Sequence, residues 1–320
     1  MSARLLRMKK DVDTDDYSPS EYKLRRSPND IKCKSKRMEL VGKLMAAKKI
    51  AREQSRKLRK KERDNLGDQA PPKQVPRTIE SMRRADETVV DKDDGEFDEE
   101  INNDEFASYF NGKPPKTCIT TNQQSGHEAK NLARMFSKIF PNSGYFNRRT
   151  YNLKEIIEFC NNREYTDLVV INETKGKVDE LIISHLPNGP TATFRLTSLE
   201  FPHEIAGSGK ITSHTPELIV NNFTTRLGHT IGRMFASLFP QQPEFHGRRV
   251  VTLHNQRDFI FFRQHRYAFE SLSKANLHEL GPRFTLKLLS LQHGTFNTSS
   301  GEYIHIHKHD MDVDRKKFVL

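Results

Sequence analysis

The chain has 320 residues, 53 Lys and Arg against 42 Asp and Glu, a formal charge of +11, and only 34% hydrophobic residues. Length alone allows about two ordinary domains, but this composition withholds much of the chain from any core. No apolar run approaches the roughly 18 residues of a membrane span. No apolar stretch of signal-peptide length follows Arg4, Arg7, Lys9 and Lys10. Cys33, Cys118 and Cys160 are scattered and lack CxxC spacing, which argues against a disulfide framework or zinc ribbon. The expectation is a soluble intracellular protein.

The chain opens on a long charged N-terminal tail. Residues 1–110 carry 26 basic and 23 acidic side chains, and of 20 Phe only Phe97 precedes Phe106. Such a segment buries too little apolar surface to offset chain entropy, so disorder or an isolated helix is expected up to residue 110. Residues 1–31, with Asp11, Asp13, Asp15 and Asp16, fit no pattern. Residues 32–63 hold 14 Lys and Arg against three acids, with no Pro and with Leu40, Leu44, Met45 and Ala46, and predict a basic, partly amphipathic helix. Its densest part, Arg56, Lys57, Arg59, Lys60, Lys61 and Arg63, suits a nuclear-import signal or phosphate contacts along RNA. A solvated charged helix is the alternative. Pro71, Pro72 and Pro76 then end any helix. Residues 86–105 hold eleven acids and one Lys, a block that folds back on the basic stretch or serves as a solvating linker.

From residue 116 the chain repeats itself. Arg134-Met135-Phe136-Ser137-Lys138-Ile139-Phe140-Pro141 recurs 99 residues later as Arg233-Met234-Phe235-Ala236-Ser237-Leu238-Phe239-Pro240. Phe146 and Arg148-Arg149 follow the first copy, as Phe245 and Arg248-Arg249 follow the second. Gly189-Pro190 precedes Phe194-Arg195-Leu196, and Gly281-Pro282 precedes Phe284-Thr285-Leu286. In the first unit, strands are expected at 117–121, 167–172, 179–186 and 192–201, and helices at 127–140 and 152–163. In the second, strands are expected at 217–221, 249–254, 258–263 and 283–292, and a helix at 226–238. Alternating strand and helix predict an α/β fold of two sheets related by a pseudo-two-fold, with one continuous sheet as the alternative.

Catalytic motifs are wanting. Gly207-Ser208-Gly209-Lys210 resembles half a phosphate loop, but Glu204 stands in place of the first Gly and Ile211 in place of Ser or Thr. No GxSxG, HExxH or GxGxxG occurs. His305, His307 and His309 would share one face of an extended strand, but no partner group is evident and no metal or other cofactor is expected. His185 reads as a packing or hydrogen-bonding residue.

The basic residues carry more information. Residues 221–300 hold ten Lys and Arg and four acids. On the helix expected at 226–238, Arg226, Thr230 and Arg233 lie off the apolar face, and Thr225 is a candidate N-cap. A phosphate is expected at that helix start, beside Arg226. Arg248, Arg249, Arg257, Arg263 and Arg266 are interleaved with Phe259, Phe261, Phe262 and Tyr267, a mixture suited to single-stranded or irregular RNA. The competing reading makes the phenylalanines core and the arginines a solvated face.

Ser184-His185-Leu186-Pro187-Asn188-Gly189-Pro190-Thr191-Ala192 and Leu280-Gly281-Pro282-Arg283-Phe284-Thr285-Leu286-Lys287-Leu288 resemble the two landmark motifs of the Brix domain. The resemblance extends through Asn221-Asn222-Phe223-Thr224-Thr225-Arg226-Leu227-Gly228-His229 and Phe259-Ile260-Phe261-Phe262-Arg263, and spans about residues 65–320. It implies a Brix domain at 111–301 with halves at about 116–202 and 216–296, each like a class II anticodon-binding domain, then a tail at 302–320. It further implies a non-enzymatic nucleolar assembly factor for the large (60S) ribosomal subunit, acting in pre-rRNA processing. Its partners would be precursor ribosomal RNA, another nucleolar assembly factor and the pre-60S particle, with no membrane. His229, Arg283 and Lys287 join the arginines above as candidate RNA contacts. A protein–protein adaptor with incidental RNA contacts is one alternative, and a metal-assisted RNA-processing enzyme is another.

Overall fold

The computed structural model describes residues 28–67, 75–78, 80–84, 87–90, 95, 104–110, 112–271, 274–296, 301–312 and 316–320. They belong to two compact units, Met1–Arg77 and Thr78–Leu320. The segments 1–31 and 86–105, singled out by their charge, fall largely outside the described residues.

In the first unit, helix α1 (Lys34–Leu66) has 33 residues, none of them buried, and is about 50 Å long at 1.5 Å per residue. An i,i+4 pair, Glu39 with Lys43 at 2.8 Å, supports its surface. Arg56, Lys57, Arg59, Lys60, Lys61 and Arg63 lie in its closing turns, and helical spacing places them on one side, with Leu58 and Glu62 on the other.

The second unit begins at Thr78, so it takes in residues that the sequence assigns to the charged extension. Several of the described residues before β1 contact the rest of this unit. Phe106 and Tyr109, which flank the start of the single turn α2 (Ala107–Phe110), are buried, with ring centroids 5.0 and 5.1 Å from the His185 ring. Asp104 binds the Arg233 guanidinium at 2.5 and 2.7 Å, and Val90 N–H donates to Thr224 O at 3.0 Å. These contacts span more than 70 residues of sequence, so local composition gives no hint of them.

The first half then runs β1 (Thr117–Thr121), α3 (His127–Ile139), β2 (Ser143–Tyr145), α4 (Leu153–Asn161), β3 (Asp167–Thr174), β4 (Lys177–His185) and β5 (Thr191–Glu200). The second runs β6 (Glu217–Asn221), α5 (Arg226–Ser237), β7 (Arg249–Gln256), β8 (Phe259–Ser271), β9 (Lys274–Glu279) and β10 (Arg283–Gln292), and β11 (Tyr303–Ile306) follows. The helices form where the apolar spacing predicts: α3 buries Leu132, Phe136 and Ile139, and α5 buries Ile231, Met234 and Phe235. Each start has a partner for its orphan N–H groups. The Glu173 carboxylate accepts from Gly126 and Ala129 at 3.0 and 3.1 Å, and Thr225 Oγ1 accepts from Gly228 at 2.9 Å. Asn152 and Glu155 form a capping box on α4.

All the strands join one sheet, with main order β2-β1-β3-β4-β5-β10-β8-β7-β6, β9 paired to β8 and β11 to β10. The expectation of two sheets is corrected in favour of one. The order is nonetheless symmetric about the β5–β10 joint. On either side lie an antiparallel pair and then a parallel pair that flanks the crossover helix, β1–β3 with α3 and β6–β7 with α5. β5 and β10 would each end as an open edge, and pairing them removes both. The register runs from Glu200↔Arg283 to Thr191↔Gln292. Across the joint, α3 and α5 cover the same sheet face over one core. Phe136 meets Phe284 (5.7 Å), Phe140 meets Phe239 (5.3 Å) and Phe194 meets Phe235 (5.3 Å), each pair bridging the halves.

The two Gly-Pro landmarks lead the chain into the joint strands. Gly189 has φ +99°, and a Cβ there would lie 2.6 Å from the Gly294 backbone; Gly281 has φ +65° against Pro202 and Ile205. A side chain at Gly189 therefore meets an unyielding backbone as well as a disfavoured φ. Gly189→Ala is expected to lower unfolding stability by about 1–3 kcal/mol, read as a shift in denaturant midpoint with unchanged slope.

Candidate nucleic-acid interface

The two halves treat the other face of the sheet differently. In the first half, α4 seats Ile156, Ile157 and Cys160 on Cys118, Leu168 and Val170, forming a second core. Between Pro240 and β7 the second half has only a single turn of 3-10 helix, Phe245–Gly247. Among the described residues, no α-helix covers the corresponding face of β6, β7, β8 and β10; the 3-10 turn His309–Asp312 meets it at Lys287 through Asp312.

Strand alternation decides what that open face displays. Ile260, Phe262 and Gln264 point into the helix-side core and are buried, while Phe259, Phe261, Arg263 and His265 point the other way. Cross-strand register sets Lys287, Phe259 and Gln256 in one row and Thr285, Phe261 and His254 in the next. Cations lie over the rings: Lys287 Nζ is 5.4 Å from the Phe259 centroid and the Arg263 guanidinium 5.9 Å from that of Phe261. Phe259 is 41% exposed and Ile219, on β6, 48%. Arg263 Nη1 donates to Phe262 O at 2.8 Å, which fixes the guanidinium. Burial lowers the pKa of both Arg263 and His265. Exposed aromatic rings beside fixed cations on a bare sheet can stack unpaired bases and hold phosphates.

The ten candidate contacts within this unit do not form one surface. Arg263, Arg283 and Lys287 gather at the open face, and Arg257 sits exposed in the β7–β8 turn with φ +56°. Arg283 is paired with Glu200 (2.5 Å) and Glu279 (3.4 Å), and Lys287 with both Asp312 oxygens (2.6 and 2.8 Å). Arg248, just before β7, is exposed. Arg226, His229 and Arg233 lie on α5, on the helix side. Arg233 is held by Asp104 with its guanidinium 4.3 Å from the Phe110 ring centroid, and His229 is half-buried, its pKa lowered by burial and by Arg233.

Arg249 corrects the expectation most sharply. It is 1% exposed, on the helix-side face opposite Arg266. Its Nη1 donates to Thr212 O and to His214 O (2.6 Å), and Nη2 to Lys138 O (3.3 Å). With the Gln264 amide oxygen turned toward it, Nη2 also donates to Oε1 at 2.7 Å. Burial, with Arg266 nearby, pulls its pKa down to about 10. A guanidinium saturated by carbonyls inside the fold is a clamp between the halves, unavailable to a phosphate. Arg266 Nη2 likewise donates to Lys210 O at 3.4 Å.

The start of α5 also differs from the expected phosphate site. Arg226 N–H donates to Thr88 O at 3.0 Å and Gly228 N–H to Thr225 Oγ1, while Leu320 lies against Gly228. Nor do the three late histidines form one row, because β11 ends at Ile306, which leaves only His305 in the strand. His307 Nε2 is 3.3 Å from Asp312 Oδ2. His185 Nδ1 is 2.9 Å from Asp167 Oδ1 in a buried pair, the hydrogen-bonding role read from the sequence. The sequence reading did not single out Arg195, opposite Lys287 on β5. It also named Arg148 and Arg149 only as repeat landmarks; with Arg163 they line a cleft beside α4.

Comparison with known proteins matches residues 122–290 to the Brix domain. The chain is 51% identical over 307 residues to ribosome production factor 1 of Pongo abelii, covering 95% of this chain and 85% of that protein. It is 44% identical over 298 residues to ribosome production factor 1 of Saccharomyces cerevisiae, covering 91% and 98%. Among solved structures, a probable ribosomal biogenesis protein from Aeropyrum pernix K1 aligns at 13% identity and TM-score 0.42 over 61% of this chain and 99% of that one.

The Arg248-Arg249 pair separates binding from structure. Arg249→Ala leaves buried carbonyls unpaired and is expected to cost about 2–4 kcal/mol of stability. Arg248→Ala, at an exposed position, stays within about 0.5 kcal/mol. Denaturant unfolding of the two variants checks this contrast.

Proposed function

The chain belongs to the Brix domain family, and on that premise we propose that it is a non-enzymatic ribosome-biogenesis factor whose open sheet face binds precursor ribosomal RNA. The assignment to ribosome production rests on close relatives named for it. The RNA reading rests on one observation, the uncovered face of β6, β7, β8 and β10, where Phe259 and Phe261 lie under Lys287 and Arg263. We assign its work to the large ribosomal subunit, to pre-rRNA processing within the pre-60S particle, and to the nucleolus. Exposed Arg248 and Arg257 extend the basic surface beyond the face, and the closing turns of α1 supply a separate basic element for RNA or nuclear import.

A protein partner has its own support. At the far end of the β8–β9 hairpin, Phe269 is 71% and Leu277 62% exposed. Exposed apolar side chains on a projecting hairpin suit another assembly factor better than a phosphate backbone. On this reading RNA and protein take different parts of the second half.

Binding of single-stranded rRNA fragments, followed against salt, tests the RNA reading. Phe259→Ala is expected to weaken binding by about 1–3 kcal/mol. Arg248→Ala and Arg257→Ala should each reduce the salt slope by about 1. A salt-independent affinity, unchanged in all three variants, would exclude the open face as the RNA site.

A further inference from the structure

The cleft beside α4, on the first half, is unused by this function. Its volume is about 400 Å³, within the about 300–1,000 Å³ range of small-ligand sites. Its floor is Cys118, Ile156 and Cys160, all buried. Two edge-to-face aromatic pairs contribute to its lining, Phe146 with Tyr165 at 6.1 Å and Tyr151 with Phe159 at 5.5 Å. Phe146, Tyr151 and Phe159 remain 50%, 46% and 41% exposed. This concentration of solvent-facing aromatic surface lines a concavity, and the folded unit gains little from it.

Arg148, Arg149 and Arg163 complete the lining. Arg148 Nε donates to Tyr151 O at 3.0 Å, and Arg163 Nη1 to Phe159 O at 3.3 Å. Each bond ties a cation to the backbone of an aromatic residue, so charges and rings are positioned together. Among the described residues, none of the three guanidinium groups is in an ion pair, in contrast to Arg233, Arg283 and Lys287. Among the described residues, no Asp or Glu lines the cleft. Its charge is therefore unbalanced, which selects an anion, and its flat apolar walls select a planar group joined to that anion. A nucleotide has both: a base that stacks on aromatic rings and guanidinium planes, and a phosphate that accepts from arginines.

We propose that this cleft is a second RNA site, taking one unstacked nucleotide of a single strand, its base against Tyr151 and Phe159 and its phosphate on Arg149 and Arg163. This rests on the RNA-binding reading above. It also explains an asymmetry between the halves. A Phe followed within three residues by an Arg-Arg pair occurs in both, but only the first half has α4 to wall a cleft; in the second, Arg249 of the same landmark is buried as a clamp.

The test uses the full chain and two probes, a single-stranded adenosine pentanucleotide and adenosine 5′-monophosphate. Saturation-transfer difference NMR of the mononucleotide should show base-proton signals with the parent protein and with Phe259→Ala. Those signals should weaken in Phe159→Ala and in the double variant Arg149→Ala/Arg163→Ala, all at surface positions with unfolding midpoints unchanged, and vanish when either is combined with Phe259→Ala, which removes stacking at the open face. Pentanucleotide affinity, by fluorescence anisotropy, should fall about tenfold or more in the cleft variants, the scale of one lost base stack. If the pentanucleotide binds but neither readout changes in the cleft variants, the cleft is overturned while the RNA-binding reading stands. If inorganic phosphate alone displaces the mononucleotide at equal concentration, the cleft is an anion site without base recognition and the proposal fails. If the parent protein binds no pentanucleotide, the RNA-binding reading fails, and the proposal with it.

Discussion

The β5–β10 ladder is the interaction on which the rest of this molecule depends. It joins the strands of the two halves, β1–β5 and β6–β10, into one sheet and brings α3 and α5 side by side on the same face. It also sets Phe136, Phe194 and Phe284 where rings from both halves share a core. Aromatic pairs of this kind each contribute about 0.5–1.5 kcal/mol beyond burial, so the ladder and the ring contacts reinforce one another. Arg249 adds a polar link, carrying hydrogen bonds from β7 to Lys138 at the end of α3 and to the 212–214 segment between the halves.

With one helix-side core serving both halves, the opposite face is left to each half separately. The first half covers it with α4; in the second, no α-helix among the described residues does so. The proposed RNA binding follows from that difference. The same duplication yields a bare, ring-bearing sheet on one side and a walled, cationic cleft on the other. Neither needs a catalytic group, and both display cations whose geometry is fixed by backbone carbonyls rather than by carboxylates alone.

Much of this was legible in the sequence because it is local or periodic. The repeated Arg-Met-Phe segments placed α3 and α5, and the paired Gly-Pro landmarks marked the turns into the joint strands. Alternation through Phe259-Ile260-Phe261-Phe262 meant that only one set of rings could be core. What escaped was non-local. One sheet or two depends on whether β5 finds β10, a pairing that periodicity within either strand does not encode. Residues 78–110 read as charged extension because their anchors, Phe106, Tyr109 and Asp104, are single residues in polar surroundings whose partners lie far along the chain. Arg249 looked like its exposed neighbour Arg248 because the carbonyls that hold it come from residues 35 to 111 positions away. The cleft was hidden for the same reason, since Arg148, Arg149 and Arg163 converge only when α4 folds onto β1 and β3.

The most direct test is a residue-level map of ultraviolet crosslinks between the full chain and single-stranded ribosomal RNA fragments. Adducts are expected on Phe259, Phe261 and Tyr267 of the open face, with a second group at Tyr151 and Phe159, and none on the exposed surface of α3 or α5. Adducts confined to the helix side, or to α1 alone, would contradict this placement of the RNA.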